Sequence, residues 1–381
     1  MFRRKGRLIL TQLVLIIAGS MFLLVMSLTS SIFFTIDNDI SRRNFDLRIG
    51  FDEAQRIDRT LKVAATIEGI KQAEMWFSRP VSLLLEGQRV REAGVGAEVI
   101  GIPKDSNLFN PQILEGRWLE PTDQRAIVIA KELAEDNGIN IGDTITLDIG
   151  ELGDSDWQVV GITTIIVRDA FSTDPIYAPL EELFEATKKH NQAQRLVIQS
   201  ESSALADIDR LNLVLKTLFT DRKIEVNVFT SSTTQEDLGN TLGQLQIVTS
   251  MLFGLAIIVA SVGGIGLMGS LSISVVERTR EIGVMRAIGA KSRMIMSMFV
   301  MEGILQSLLS WTIAVPLSFF IAQPIAKILG QTMLEVDLDF KYSVEAVLYW
   351  LIIVIVIAII ASILPARAAT RISVQESLMY G

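Results

Sequence analysis

Four long apolar runs constrain this chain more than any other feature. Residues 8–36, 242–276 and 346–364 carry no charged side chain, and residues 294–322 carry one, Glu302. About 20 apolar residues span a bilayer as a helix. All four runs reach or approach that length, so the expected framework is an α-helical membrane protein with four transmembrane helices. At ~1.5 Å per residue the first two runs would extend roughly 44 and 52 Å, against a hydrocarbon core of about 30 Å. The surplus reads in two ways. Ile32, Ile36 and Ile40 repeat every four residues, and Leu238, Leu242, Leu245 and Thr249 repeat at four, three and four. That spacing suits two helices packing as a stalk beyond the lipid. The other reading is tilt.

Charge orients the spans. Residues 37–240 hold 35 acidic and 22 basic side chains, a net of −13 within a chain total of −8. The remainder holds 8 acidic and 13 basic, a net of +5, and 11 of those basic residues lie in three places. Arg3, Arg4, Lys5 and Arg7 precede the first span. Arg278, Arg280, Arg286, Lys291 and Arg293 lie between the second and third. Arg367 and Arg371 follow the fourth. Basic flanks stay on the cytoplasmic side. Both termini are therefore expected inside, with residues 37–240 and the short loop 323–345 outside the cell (inner, cytoplasmic) membrane. The basic start also fits a signal peptide, but the run is long and no Ala-x-Ala site follows, which favours an uncleaved anchor.

With no cysteine there is no disulfide framework and no thiolate metal site. The one histidine, His190, follows Lys188 and Lys189 in a polar stretch and reads as a solvated surface residue, so no metal site is expected.

The outer segment alternates strand and helix patterns. Strands are expected over 47–51, 73–77 and 81–85, with a helix over 54–69 between the first two. A second βαβ pattern takes strand 195–199, helix 204–219 and strand 225–229. Between them, strand 127–130, helix 131–137, a turn at 138–143 and strands 144–149 and 157–162 form a separate block. This predicts an extracytoplasmic α+β domain over 45–240 between helices 1 and 2. It would be a split ferredoxin-like layer from two distant halves, with a β-rich insert at about 96–174. Residues 1–44 would form the N-terminus, first helix and stalk, and residues 241–381 a membrane domain with helices 2–4.

The second span is rich in small residues, including Gly263, Gly264, Gly266 and Ser270. Small residues let helix backbones approach closely in lipid. A contact with a second chain and packing against the chain's own spans are both open. Pro316 should kink the third span. Glu302, near the start of that span, would snorkel or bond to the preceding turn; a proton relay would need a second buried ionisable group, and the spans have none.

That turn runs Glu277, Arg278, Thr279, Arg280, Glu281, Ile282, Gly283, Val284, Met285, Arg286, Ala287, Ile288, Gly289, Ala290. In a helix starting near Glu277, Ile282, Met285 and Ile288 fall roughly on one face, and Arg278 can pair with Glu281 at i,i+3. Spacing alone fits a helix lying along the membrane surface or an ordinary basic loop that sets orientation. Gly289, Ala290, Lys291 and Ser292 lack the Gly-Lys-Ser/Thr adjacency of a phosphate-binding loop, and no strand precedes them. The chain is not expected to hydrolyse ATP.

The turn resembles the signature of the FtsX-like permease superfamily, or type VII ABC transporters, and is most similar to MacB-type permeases. Val262 to Leu267 before it, Glu302 after it and Pro365 to Arg371 beyond the last span fit the same pattern, so the strong resemblance covers residues 242–375. Residues 114–118 and 138–147 are similar to the small insert of the MacB periplasmic domain. Ser373 to Leu378 depart from the family tail, no fused nucleotide-binding domain is expected ahead of the first span, and the basic start also resembles the second half of eight-span permeases.

The resemblance implies a non-catalytic permease subunit, coupled by mechanotransmission to efflux or extraction of a substrate outside the membrane. It implies that residues Glu277 to Gly289 fit a groove on a separate ABC ATPase dimer. The chain itself would bind no cofactor; ATP and Mg would enter through that partner. A second permease chain, identical or not, the lipid bilayer and a membrane-fusion adaptor are the other implied partners; nucleic acid is not. The alternative is an FtsX-like signalling protein that regulates a cell-wall hydrolase.

Overall fold

The computed structural model describes residues 2–85, 88–89, 97–166, 173–333 and 336–370, without the side chains of residues 2–8, 88, 89, 244 and 333. Arg371, the tail from Ser373 to Leu378 and the side chains of Arg3, Arg4, Lys5 and Arg7 lie outside that description. The chain divides into two compact units, residues 36–244 and residues 1–35 with 245–381. Helix α1 (Phe2–Ser41) opens the chain and runs on from the second of these into the first.

The 36–244 unit is one continuous path of strands. In chain order it holds β1 (Leu47–Arg56), α2 (Ile57–Ala64), β2 (Ile70–Leu85), β3 (Gln88–Arg89), β4 (Ala97–Ile102), β5 (Gln112–Gly116), β6 (Ala126–Ala130), α3 (Lys131–Asn137), β7 (Thr144–Asp148), β8 (Asp154–Thr164), β9 (Asp174–Pro179), α4 (Leu180–Thr187), β10 (Gln192–Ser200), α5 (Leu205–Asp221) and β11 (Val226–Thr233). Strands β11, β1, β10 and β2 lie side by side, all antiparallel. Helices α2 and α5 bury Val63, Ala64, Leu211, Leu215 and Phe219 against Leu47, Ile49, Met75 and Leu196 of that sheet. The two distant βαβ segments thus share one core, because neither could cover its apolar face alone.

Strand β2 then passes into a second set, pairing with β4 and β7; β4 continues through β9, β6, β8 and β5. Its core gathers around Trp157, fully buried, with Ile127, Ile129, Leu133, Ile145 and Val159. The expected strands 73–77 and 81–85 are one strand. Pro80 does not break it, because β10 pairs only as far as Trp76 and β7 begins at Ser82, so only one edge of β2 is engaged there. The expected helix 54–69 is shorter, since Gln55 and Arg56 pair with Ala193 and Gln192 and extend β1 to the helix start. Helix α4 and strands β4, β5 and β9 were not anticipated by the strand and helix patterns.

Among the described residues, four helices are long and apolar enough to cross a membrane. After α1 these are α6 (Thr234–Glu277), then, past the short α7 (Thr279–Ala287), α8 (Ser292–Met333) and α9 (Val344–Ala369). Helix α8 remains helical through both Pro316 and Pro324. Within the 1–35 and 245–381 unit, Phe22 of α1 stacks on Trp350 of α9 with ring centroids 5.1 Å apart. Gly19 leaves room for that indole and for Ala314.

Beyond α8 the chain lies along α1 in register. The N–H groups of Asp339, Lys341 and Ser343 donate to Thr35 Oγ1, Ser31 Oγ and Ser27 Oγ at 2.8, 2.9 and 3.3 Å. Four helical residues rise about 6 Å and two extended residues about 6.6 Å, so alternate amides of one segment meet the hydroxyls carried by every fourth residue of the other.

Candidate functional site

Helix α6 ends at Glu277, and Arg278 (φ −103°, ψ 17°) separates it from α7. Helix α7 stops at Ala287 because Gly289 takes the left-handed conformation (φ +95°). The N–H groups of Gly289 and Ala290 return to the carbonyls of Arg286 and Met285 at 3.0 and 2.9 Å, the paired bonds of a Schellman end.

Helix α7 is tethered three ways. Ile282, fully buried, enters a cluster of Val275 on α6, Ile295 and Phe299 on α8, and Ala366 and Ala369 on α9, with Met285 beside it. Gly283 is buried next to it. At one end Arg278 pairs with Glu302 Oε2 of α8 at 3.2 Å, while the Ser274 hydroxyl lies 3.5 Å from Oε1. At the other end Arg286 donates to Ser292 Oγ at 3.3 Å and to the Thr370 carbonyl that closes α9. Thr279 turns its hydroxyl back to the Val276 carbonyl at 2.8 Å. Glu277, Arg280, Glu281, Val284 and Ile288 are exposed.

Two expectations are corrected. Arg278 does not pair with Glu281; it sits at the break between helices, which turns it to Glu302. Ile288 does not share the buried face with Ile282 and Met285: it is 82% exposed, because the helix closes one residue before it. Of the two possibilities for Glu302, bonding to the preceding turn is the one observed. Ser274, Val275, Ile295 and Phe299 join the site without having been singled out; Ala366, Ala369 and Thr370 belong to the Pro365 to Arg371 motif but had been given no part in the site. The seven-residue step from Val275 to Ile282 was the available signal for the apolar part.

The small residues of α6 divide. A Cβ on Gly263 would meet Leu15 of α1 at 3.2 Å, and one on Gly264 would meet Ile357 of α9 at 2.9 Å, so both serve packing within the chain. Gly266 has no neighbour within 4 Å of such an atom, and Ser270, one turn on, is half-buried. Among the described residues no group of three His, Cys, Asp or Glu side chains is placed to hold a metal.

Comparison with known proteins divides the chain into two matches. Residues 8–211 match the family model of the MacB-like periplasmic core domain, and residues 253–374 that of the FtsX-like permease C-terminal region. An uncharacterized ABC transporter permease of Methanocaldococcus jannaschii is 28% identical over 272 residues, 70% of this chain and 65% of that one. A macrolide export ATP-binding/permease protein MacB of Bdellovibrio bacteriovorus is 25% identical over 298 residues, 77% of this chain and 36% of that one. The MacB of Hahella chejuensis is 33% identical over 130 residues, 34% and 19% respectively. The chain thus spans less than two thirds of these relatives' lengths. Among solved structures, the periplasmic region of MacB from Actinobacillus actinomycetemcomitans aligns with a TM-score of 0.35 and 11% identity, covering 48% of this chain and 90% of that one. Two family models account for most of the sequence, one of them for more than half, and four helices suited to a bilayer accompany them: the chain belongs to the ABC transporter permeases of the FtsX-like, MacB-like type, multi-pass membrane proteins with a MacB-like periplasmic core domain.

Proposed function

We propose that this chain is a non-catalytic subunit that couples ATP hydrolysis by a separate ABC ATPase dimer to movement of its 36–244 unit, driving efflux or extraction of a substrate outside the membrane. The observation that carries this reading is α7. It is a short helix fixed to α6, α8 and α9 on one side, with Glu277, Arg280, Glu281, Val284 and Ile288 exposed. Such a face suits docking, and its tethers suit transmission of a push. Helices α1 and α6 each run without interruption out of the membrane unit into the 36–244 unit, which supports mechanical transfer along the chain. Binding of ATP and Mg is assigned to the partner.

Further parts of the reading are an inner-membrane location, both termini and α7 on the cytoplasmic side, and residues 37–240 outside. The domain bounds 1–44, 45–240 and 241–381 belong to it too. So does a split ferredoxin-like layer, which the order β11-β1-β10-β2 supports. The open side of Gly266 and Ser270 suits a second permease chain. An adaptor protein would dock on the outer unit.

The test is retention of tagged ATPase candidates by the full chain in detergent. Glu281→Lys reverses an exposed charge on the docking face; it is expected to reduce retention about tenfold, the effect of roughly 1.4 kcal/mol. Retention and coupled activity equal to those of the unaltered chain would overturn the docking assignment.

A further inference from the structure

Glu302 lies ten residues beyond the first residue of α8, about 15 Å along that helix, inside a run with no other charge. A carboxylate in such a setting is costly unless it is paired and hydrogen-bonded. Its partners come from two other elements: the Ser274 hydroxyl from α6 and the Arg278 guanidinium from the residue between α6 and α7. The pair is partly covered, with side chains 43% and 22% exposed, so its attraction is screened less than that of an open surface pair.

From this geometry we infer that Glu302 is a positioning residue: its charge locks the α6–α7 break onto α8, so that a displacement of α7 is handed to α8 and is not absorbed at Arg278. This rests on the coupling reading of α7 and deepens it. The apolar seat of Ile282 fixes the depth of α7 but is non-directional. The ion pair adds direction. Without Glu302, Arg278 keeps only the helix-like backbone bonds from its N–H to Ser274 and from the Ile282 N–H to its own carbonyl, 3.1 and 3.0 Å. Those bonds do not reach α8. The far end of α7 stays held by Arg286, to Ser292 of α8 and to the Thr370 carbonyl of α9, so the end that is released is the one at Arg278, and α7 can pivot about its far end.

The chain has no cysteine, so a pair of introduced ones reports without background. Spin labels on Val284→Cys in α7 and Ser297→Cys in α8, in the full chain in lipid nanodiscs, read the distance between the two helices. A single narrow distribution is expected for the otherwise unaltered chain. Glu302→Gln, close in shape and neutral, is expected to broaden it about twofold as alternative positions become populated. The charge reversal Arg278→Glu with Glu302→Arg is expected to narrow it again. An unchanged width in Glu302→Gln overturns the proposal. So does a broadened Glu302→Gln that the reversed pair fails to restore, since that outcome shows that the pairing with Arg278 is not what holds α7. No ATPase is present in this measurement, so its failure is distinct from failure of the Glu281→Lys retention test.

Discussion

Several charged side chains in this protein are held in pairs whose setting decides what they do. Arg48 and Asp237 meet at 2.6 Å with both side chains almost fully covered, which ties the start of α6 to β1. Arg117 and Asp123 form a more open pair: the guanidinium donates to both carboxylate oxygens at 2.7 and 2.6 Å, and Asp123 also accepts the Glu120 N–H at 2.8 Å. The Arg117 hydrogen bonds, outweighing the opposing effect of burial, hold the Asp123 carboxyl below the usual carboxylate range. The folded protein then binds this proton less readily than the unfolded chain does. The contribution to stability is complete above the ordinary carboxylate value and is lost as pH falls through the depressed folded value. The Glu120 amide is expected to stay protected from hydrogen exchange at pH 6 and to lose protection only below the usual range, whereas Asp123→Asn loses it even at pH 6. Equal protection in the variant would refute the assignment. Neither pair was legible beforehand, because their members are 6 and 189 positions apart with no periodicity to join them. Glu302 was legible, since a lone carboxylate in an apolar run demands a partner. Ile288 was misread because a three-residue spacing means a shared face only while the helix lasts, and Gly289 ends it.

At the scale of elements, hydropathy located all four long helices but treated each run as uniform. The hydroxyls of Ser27, Ser31 and Thr35 disappear in such a reading, although they seat the segment after α8 on α1. Ser31→Ala leaves the Lys341 N–H without its acceptor, at an expected cost of about 1–3 kcal/mol. Thr29→Ala is the control, because that hydroxyl only bonds back to Val25 of the same helix. Thermal unfolding of the detergent-solubilised chain should fall for the first and hold for the second; equal midpoints would mean the ladder bears no load. In the 36–244 unit, buried strands with strong apolar content, such as β6 and β8, were readable by pattern. Strand β5 was not, because it is largely exposed and its character comes from pairing with β8. The long β2 was split in reading because Pro80 signals a break unless one edge of the strand is known to be free.

At the scale of the whole molecule, one continuous helix, α6, belongs to both units of the chain. α6 is 44 residues long, joins the 36–244 unit at its start and delivers Arg278 at its end, and its apolar run of residues 242–276 is long enough for one crossing. In the proposed arrangement, a single crossing would put its two ends on opposite sides of the bilayer. The charge record then chooses which is which. Arg278, Arg280, Arg286, Lys291 and Arg293 follow α6 within 16 residues, whereas residues 37–240 carry a net of −13. Retaining the basic turn and translocating the acidic unit is the arrangement the positive-inside rule favours. Asp136 on α3 and Ala287 at the end of α7 are both exposed. In a chain without native cysteine, a membrane-impermeant maleimide added to intact cells should label Asp136→Cys at once and Ala287→Cys only after permeabilisation. Labelling of both from outside would remove α7 from reach of any ATPase within the cell. Labelling of neither would bring the acidic unit inside. Either result would break the mechanical reading at its base, because a push on α7 and a response in the 36–244 unit have meaning only across a bilayer that α6 traverses once.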